Sequence, residues 1–299
     1  MLFCSNLLSI HDFPNNPNGT NAMAYDYPLI RVAKQGRIAV ATVAAPPINI
    51  ITPQLYAELS ALSREVEADE DVAVFILRSA DPDFFLAHFD VSAIIQFPTE
   101  TPAVRNPQLN EYHQMCERFR TMAKVTIAQI EGRVGGGGSE LSMSMDLRYG
   151  VRGKTRINQM EVPLGILPGG TGTQRLPRLI GRGRAIEVIL AGDDLDAETA
   201  ERWGYLDRIF AAHEIGPFVD KLAARIASFP IAAVRAAKLA INAADLPLDQ
   251  GLVEEAYLFQ TLLRTDSAQV NMREFLANGG QTRDGELRVN DLNAALGKP

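Results

Sequence analysis

Cysteine, tryptophan and basic residues are scarce in this chain. Two cysteines among 299 residues, Cys4 and Cys116, are too few for a disulfide framework. No cysteine or histidine spacing matches a zinc site, so no metal is expected. Lys and Arg number 29 against 36 Asp and Glu, a net charge of −7. Such a balance lacks the basic face that neutralises phosphates, and nucleic acid is not expected as a partner. The longest uncharged stretch, Ile38–Ala57, is broken by Pro46, Pro47, Asn49 and Pro53. It cannot span a membrane, and none is expected as a partner. The four histidines, His11, His88, His113 and His213, have no GxSxG-type nucleophile beside them. The single tryptophan, Trp203, precedes Gly204 and reads as a packing anchor at a helix end. What remains is an acidic globular chain, 46% hydrophobic and 22% charged, with the cytoplasm as its expected compartment. Its length suits about two domains or one large one.

Residues 1–24 differ from the rest. They hold five asparagines and no Lys or Arg, which fits neither a secretory signal nor a mitochondrial presequence. They are read as a flexible tail with Met23 as a candidate start and the sequon at Asn18 idle. From there the pattern alternates. Arg37–Ala44 and Ala73–Leu77 are β-rich apolar runs, the second continuous enough to be buried on both faces. Between them Pro53–Ala68 carries Leu55, Leu59, Leu62 and Val66 at helical spacing. Val125–Ile130 predicts a further strand. This alternation implies an α/β core over 25–195. From Asp196, a candidate helix cap, the chain turns helical as far as 278, with Gly204 stopping the first helix. Ile231–Ala244 and Gly251–Leu263 follow. The second has Leu252, Ala256, Phe259 and Leu263 on one face, to be covered by the chain's own core or by another subunit. Residues 279–299 are polar and expected to be loosely held.

Two glycine motifs fail. Gly153-Lys154-Thr155 has Arg148 where a phosphate loop needs glycine, and a dinucleotide fingerprint started at Gly135 reaches Glu140 at its third glycine. The productive stretch runs from Ile130 to Arg175. Gly135–Gly138 allow close backbone approach and bare N–H groups at the start of a helix. Glu140 follows at once, and Glu161 sits in a second Gly/Pro-rich loop. Two carboxylates and a backbone donor site suit proton transfer around an enolate. These residues alone equally allow Glu140 to be a helix-dipole carboxylate and Glu161 an exposed loop charge. The string Leu141–Arg148 alternates apolar with polar residues, which by itself favours a strand.

GGGGSELSMSMDLRY followed by NQMEVPLGILPGGTGTQRL resembles the signature of the enoyl-CoA hydratase/isomerase (crotonase) superfamily. Pro46-Pro47-Ile48-Asn49, Phe85–Asp90 and Ala191-Gly192-Asp193 through Gly204 extend the likeness over roughly 28–276. The resemblance implies a spiral of ββα units with a C-terminal helical region, assembled as trimers or pairs of trimers. It also implies a short helix ending in Asp146, against the strand reading of Leu141–Asp146. It implies an acyl-CoA thioester as substrate, coenzyme A being part of that substrate and no separate cofactor being needed. The backbone N–H groups of Gly137 and Phe89 would hold the thioester oxygen, with Glu140 acting on water and Glu161 on the α-carbon proton. Gly169 would line the same pocket, and Ala87, Pro47 and Ile48 would lie at the adenine end.

Three departures stand out. His88 replaces a frequent glycine, which asks whether its backbone can follow the same path and brings an imidazole to the site. One residue more than usual separates Asp146 from Glu161: absorbed in the loop Gly150–Lys154 it leaves Glu161 in place, and otherwise the second carboxylate shifts and hydratase activity fails. Pro46 stands where a basic residue is frequent, so the phosphates need a cation from elsewhere. The expected activity is syn hydration of a 2-enoyl-CoA to a 3-hydroxyacyl-CoA, as in fatty acid metabolism. The alternatives are double-bond isomerisation, other enolate chemistry on an atypical acyl-CoA, or acyl-CoA binding without catalysis.

Overall fold

The computed structural model describes residues 25–296. The expected N-terminal tail, with Met23 and the Asn18 sequon, lies outside the described residues. The chain opens with β1 (Ile30–Gln35) and β2 (Ile38–Val43), an antiparallel hairpin. Helix α1 (Pro53–Ala68) follows, covering the span its spacing predicts. Thr52 caps it by accepting the Leu55 N–H at 3.2 Å, Pro53 opens it, and Leu55, Leu59, Leu62 and Val66 are fully buried.

Strands then alternate between two sheets. After β3 (Val74–Ser79) come β4 (Phe84–Leu86), α2 (Val91–Ile95) and α3 (Glu111–Thr121). The next turn supplies β5 (Val125–Ile130), β6 (Arg133–Gly135) and α4 (Gly136–Ser142). It is followed by β7 (Leu147–Val151), β8 (Arg156–Asn158), α5 (Gly172–Ile180) and α6 (Arg182–Ala191). β9 (Leu195–Asp196), α7 (Ala197–Trp203) and β10 (Arg208–Phe210) complete the spiral. One sheet has the order β1-β2-β3-β5-β7-β10 and the other β4-β6-β8-β9. Apart from the β1–β2 and β8–β9 pairs, all neighbours are parallel. This is the ββα spiral that the sequence resemblance implied.

Strand β3 shows why its apolar run is unbroken. Phe75 and Leu77 enter the main core between the sheets, whereas Val74 and Ile76 pack under α8 (Ala212–Ala227) with Ile215 and Val219. A strand buried on both faces has no polar side to alternate.

The strand reading of Leu141–Asp146 gives way to the last turn of α4 and a following turn, with β7 starting at Leu147. Ser142 Oγ donates to Gly138 O at 2.8 Å and Ser144 Oγ to Glu140 O at 2.9 Å. Each hydroxyl is satisfied one helical turn back, so serines can sit in a buried helix and mimic period-two patterning. Asp146 ends this segment, accepting the Thr126 N–H at 2.7 Å and Lys238 Nζ at 2.8 Å. The buried Lys238 thereby fastens α9 (Ile231–Asn242) to the spiral.

The remaining helices are α10 (Leu248–Leu263), α11 (Asp266–Ala277), α12 (Arg283–Glu286) and α13 (Val289–Ala295). Leu258 is the buried residue of α10, while Leu252 and Phe259 are 52% and 59% exposed. The apolar stripe is thus not covered by the chain's own core. The polar segment after Gly279 is more ordered than its composition suggests. Thr282 caps α12 through the Gly285 N–H at 3.0 Å, and Leu292 of α13 is buried. Among the described residues no single helix is long and apolar enough to cross a membrane.

Asn49 positions one wall of the site. It holds a left-handed backbone (φ 53°) and is 1% exposed. Its Oδ1 accepts the Ala45 N–H at 2.8 Å, and its Nδ2 donates to Ser79 Oγ at 2.8 Å and Phe85 O at 3.1 Å. Replacing it with alanine strands these buried partners and is expected to cost on the order of 3 kcal/mol in denaturant unfolding. Asn49→Gly, which restores only the backbone freedom, should recover a minor part of that loss.

Candidate active site

The site forms where β4, β6 and the loop after β8 end side by side. The Asn49 loop pairs with the segment after β4, Ile51 N donating to His88 O at 2.9 Å and Asp90 N to Ile51 O at 3.1 Å. This bridge pairs Ile51 with Phe89 and uses the groups on either side of Phe89. The Phe89 N–H therefore points the other way, toward α4. There the first N–H groups of α4, on Gly136, Gly137 and Gly138, have no acceptor within the helix. A methyl built on Gly137 would lie 3.1 Å from Phe89 Cβ and 3.5 Å from Phe89 N. The two expected oxyanion donors are brought together.

His88 reaches this place without backbone strain; Asn49 and Gln281 are the non-glycine residues with positive φ among those described. Its Nδ1 donates to Phe89 O at 2.8 Å, since a carbonyl only accepts. Nε2 is left for other partners.

Glu140 is 3% exposed, and its Oε1 accepts three backbone N–H groups, from Gly170 at 2.8 Å, Thr171 at 2.8 Å and Gly172 at 2.7 Å. These belong to the turn that opens α5. Glu140 does complement a helix start, but that of α5 rather than its own. Oε2 is not engaged by these donors. Burial pushes the carboxyl up, and the three N–H groups oppose it.

Glu161 is not an exposed loop charge: it is 8% exposed. β7 and β8 are joined by a turn at Arg152–Lys154, where Gly153 takes a φ of 69°. A methyl on Gly136 would come within 3.1 Å of Glu161 Oε1 and 3.2 Å of His88 Cβ, and Gly136 itself has a φ of 44°. Only glycine suits that position. Gln159 Nε2 lies 3.4 Å from each Glu161 oxygen. Burial, then the charge of Glu140, raises Glu161 from 4.5 to about 7. Glu140 is held by three short N–H contacts, whereas Glu161 has its own backbone N–H and the distant Gln159 amide, so burial and the charge of Glu140 leave Glu161 the more readily protonated of the two.

Ile48, Ala87 and His88 line a cavity of about 180 Å³ with Phe84, Arg133, Gly135, Asn158 and Met160. Pro47 is exposed beside it. Gly169 is exposed, its carbonyl held by His113 Nε2 at 2.8 Å; its neighbour Gly170 is the glycine that faces Glu140. Arg133 is the guanidinium on the cavity wall, paired with Asp194 at 2.7 Å.

Sequence reasoning missed Tyr112, Gln159, Gly170–Gly172 and Arg133. Asn110, whose Oδ1 caps α3 through the His113 N–H at 2.8 Å, signals a helix start that puts Tyr112 and His113 in its first turn. Nothing in the sequence says which loop that turn faces.

The ββα spiral thus brings bare helix N–H groups and two buried carboxyls to one edge. The chain belongs to the enoyl-CoA hydratase/isomerase family, whose profile matches residues 33–281. It is similar to a short-chain-enoyl-CoA hydratase of Clostridium acetobutylicum, 30% identical over 81% of this chain and 92% of that protein. A crotonyl-CoA hydratase of Syntrophomonas wolfei is 31% identical over 85% of this chain and 96% of its own length. The crystal structure of an enoyl-CoA hydratase from Bacillus anthracis superposes with a TM-score of 0.74. It is 26% identical and covers 84% of this chain and 96% of that one.

The raised Glu161 has a consequence for stability. Below about pH 4.5 the group is neutral in both folded and unfolded chains. As pH rises the unfolded chain ionises first, so the folded state loses stability until pH passes about 7. Glu161→Gln removes that loss. The variant should be more stable than wild type by up to about 3 kcal/mol at pH 8, with the gap closing near pH 4.5, as read by denaturant unfolding at both values.

Proposed function

We propose that the protein is an acyl-CoA lyase that adds water to a 2-enoyl-CoA, giving a 3-hydroxyacyl-CoA. The observation that carries this reading is the convergence of two buried carboxyls, Glu140 and Glu161, on the bare N–H groups of Gly136–Gly138 beside Phe89. The thioester oxygen accepts from the Gly137 and Phe89 N–H groups. As negative charge builds on it, donors already in place stabilise it without reorganising, each worth about 2.7–4 kcal/mol in the transition state.

Ionised Glu140 takes a proton from water through its free Oε2, and the water oxygen bonds to the β-carbon. The π electrons move into the enolate. Collapse of the enolate takes the proton of Glu161 onto the α-carbon. Glu140 is then protonated and Glu161 ionised, and exchange with solvent restores the pair. No group besides the coenzyme A carried by the substrate enters the reaction. Ile48, Ala87 and His88 border the coenzyme, with Pro47 at the adenine end, Arg133 as the cation nearest the phosphates, and Gly169 backing the turn that holds Glu140.

The exposed stripe of α10 supports assembly with further copies of the chain, as trimers or paired trimers. Light scattering is expected to give three or six times 32.7 kDa, and a monomer would refute the assembly.

The activity is tested with crotonyl-CoA by following loss of the conjugated thioester absorbance and identifying the product. Hydration should fall as pH rises through about 7, where Glu161 loses its proton. Glu140→Gln and Glu161→Gln should each lose about a hundredfold or more in rate while coenzyme A binding in calorimetry survives. Absence of turnover, or a product with a shifted double bond and no added water, overturns the assignment.

A further inference from the structure

Tyr112 belongs to no step above, yet it occupies the space beyond the carboxyls. Its hydroxyl donates to Gly137 O at 2.6 Å. A methyl on Gly137 would lie 3.1 Å from that hydroxyl, and a methyl on Gly170 would lie 2.8 Å from Tyr112 Cε1 and close to Glu140 Oε2. The ring thus leans on the bare Cα of Gly170 beside the one Glu140 oxygen left free. Two more rings back it. Tyr56 stacks on it at 5.8 Å between centroids, and Phe89 meets it edge-on at 5.9 Å. Phe89 also meets Tyr56 at 6.1 Å, which closes the cluster.

The cavity at Ile48, Ala87 and His88 is lined by Gly135 as well and not by Tyr112. With coenzyme A in that cavity and the thioester oxygen on Gly137 and Phe89, the acyl chain is left the flank of Gly137 where Tyr112 stands beside Glu140. We infer that Tyr112, braced by Tyr56 and Phe89, closes the acyl end of the site and restricts the enzyme to short enoyl groups. This rests on the hydratase reading above. A methylene with no room typically costs tenfold or more in specificity, so the restriction should be steep.

The test is kcat/KM of the full-length protein on crotonyl-, hexenoyl-, octenoyl- and decenoyl-CoA. Wild type should fall by about a hundredfold or more from crotonyl to decenoyl. Tyr112→Ala should raise the decenoyl-to-crotonyl ratio by about tenfold or more. Tyr112→Phe keeps the ring and should keep the wild-type order, which separates the ring's bulk from its hydrogen bond. Equal handling of crotonyl- and decenoyl-CoA by wild type overturns the inference while leaving the hydratase reading intact, and that measurement does not depend on any variant folding. An unchanged ratio in a folded, active Tyr112→Ala overturns it as well. No turnover of any enoyl-CoA overturns both.

Discussion

Three N–H groups on one carboxylate oxygen hold this site together. The bonds from Gly170, Thr171 and Gly172 to Glu140 Oε1 join the helix that carries the glycines to the helix that follows the second glutamate. They set the direction of the side chain, leave one oxygen for chemistry, and supply charge-assisted contacts where water is excluded. Without them a buried carboxylate would pick up a proton. With them, burial still raises Glu140, and its neighbour Glu161 is raised to about 7. The unequal hydrogen bonding of the two acids makes their environments differ.

That arrangement depends on backbone more than on side chains, which explains the glycines. Gly138 lies against Leu86, where a methyl would approach Leu86 Cβ to 2.6 Å. Gly136 lies against His88 and Glu161. The two walls approach so closely that the N–H groups at the start of α4 lie beside the segment that follows β4. Asn49 fixes the outer wall by bonding to four backbone or side-chain groups from inside its own loop. Both ends of its amide are hydrogen-bonded, which makes a left-handed, buried asparagine tolerable.

Much of this was legible in residue order. Pro53–Ala68 and Val125–Ile130 have the boundaries their patterns predict, and Asp196 and Gly204 bracket α7 as cap and stop. The glycine run and both glutamates pointed to the site because the chemistry sits on short, contiguous segments. Period-two patterning misled at Leu141–Asp146 because Ser142 and Ser144 satisfy themselves on the helix backbone. Composition misled after Gly279 because a single cap and one buried leucine suffice to order short helices. Tyr112 was illegible for another reason. It lies 25 residues from the carbonyl it binds, and only the winding of the spiral brings α3 under the glycine helix.

The same winding accounts for the division of labour in the chain. Strands that alternate between two sheets put every second strand end at one edge, so the segments after β4, β6 and β8 converge there. Each brings a different element: a main-chain donor after β4, a glycine helix with its glutamate after β6, and the second acid after β8. None of these segments can be exchanged for another, since register fixes Gly135 opposite Asn158 and next to the carbonyl of Ala87. The C-terminal helices stand outside this constraint. They are tied to the spiral through the pair of Lys238 with Asp146, the residue that closes the glycine helix segment. The buried ammonium is satisfied twice, by that carboxylate and by Lys124 O at 2.6 Å. Removing either partner would leave a charge in the core, so helix attachment and the geometry of the glycine segment are coupled through one ion pair.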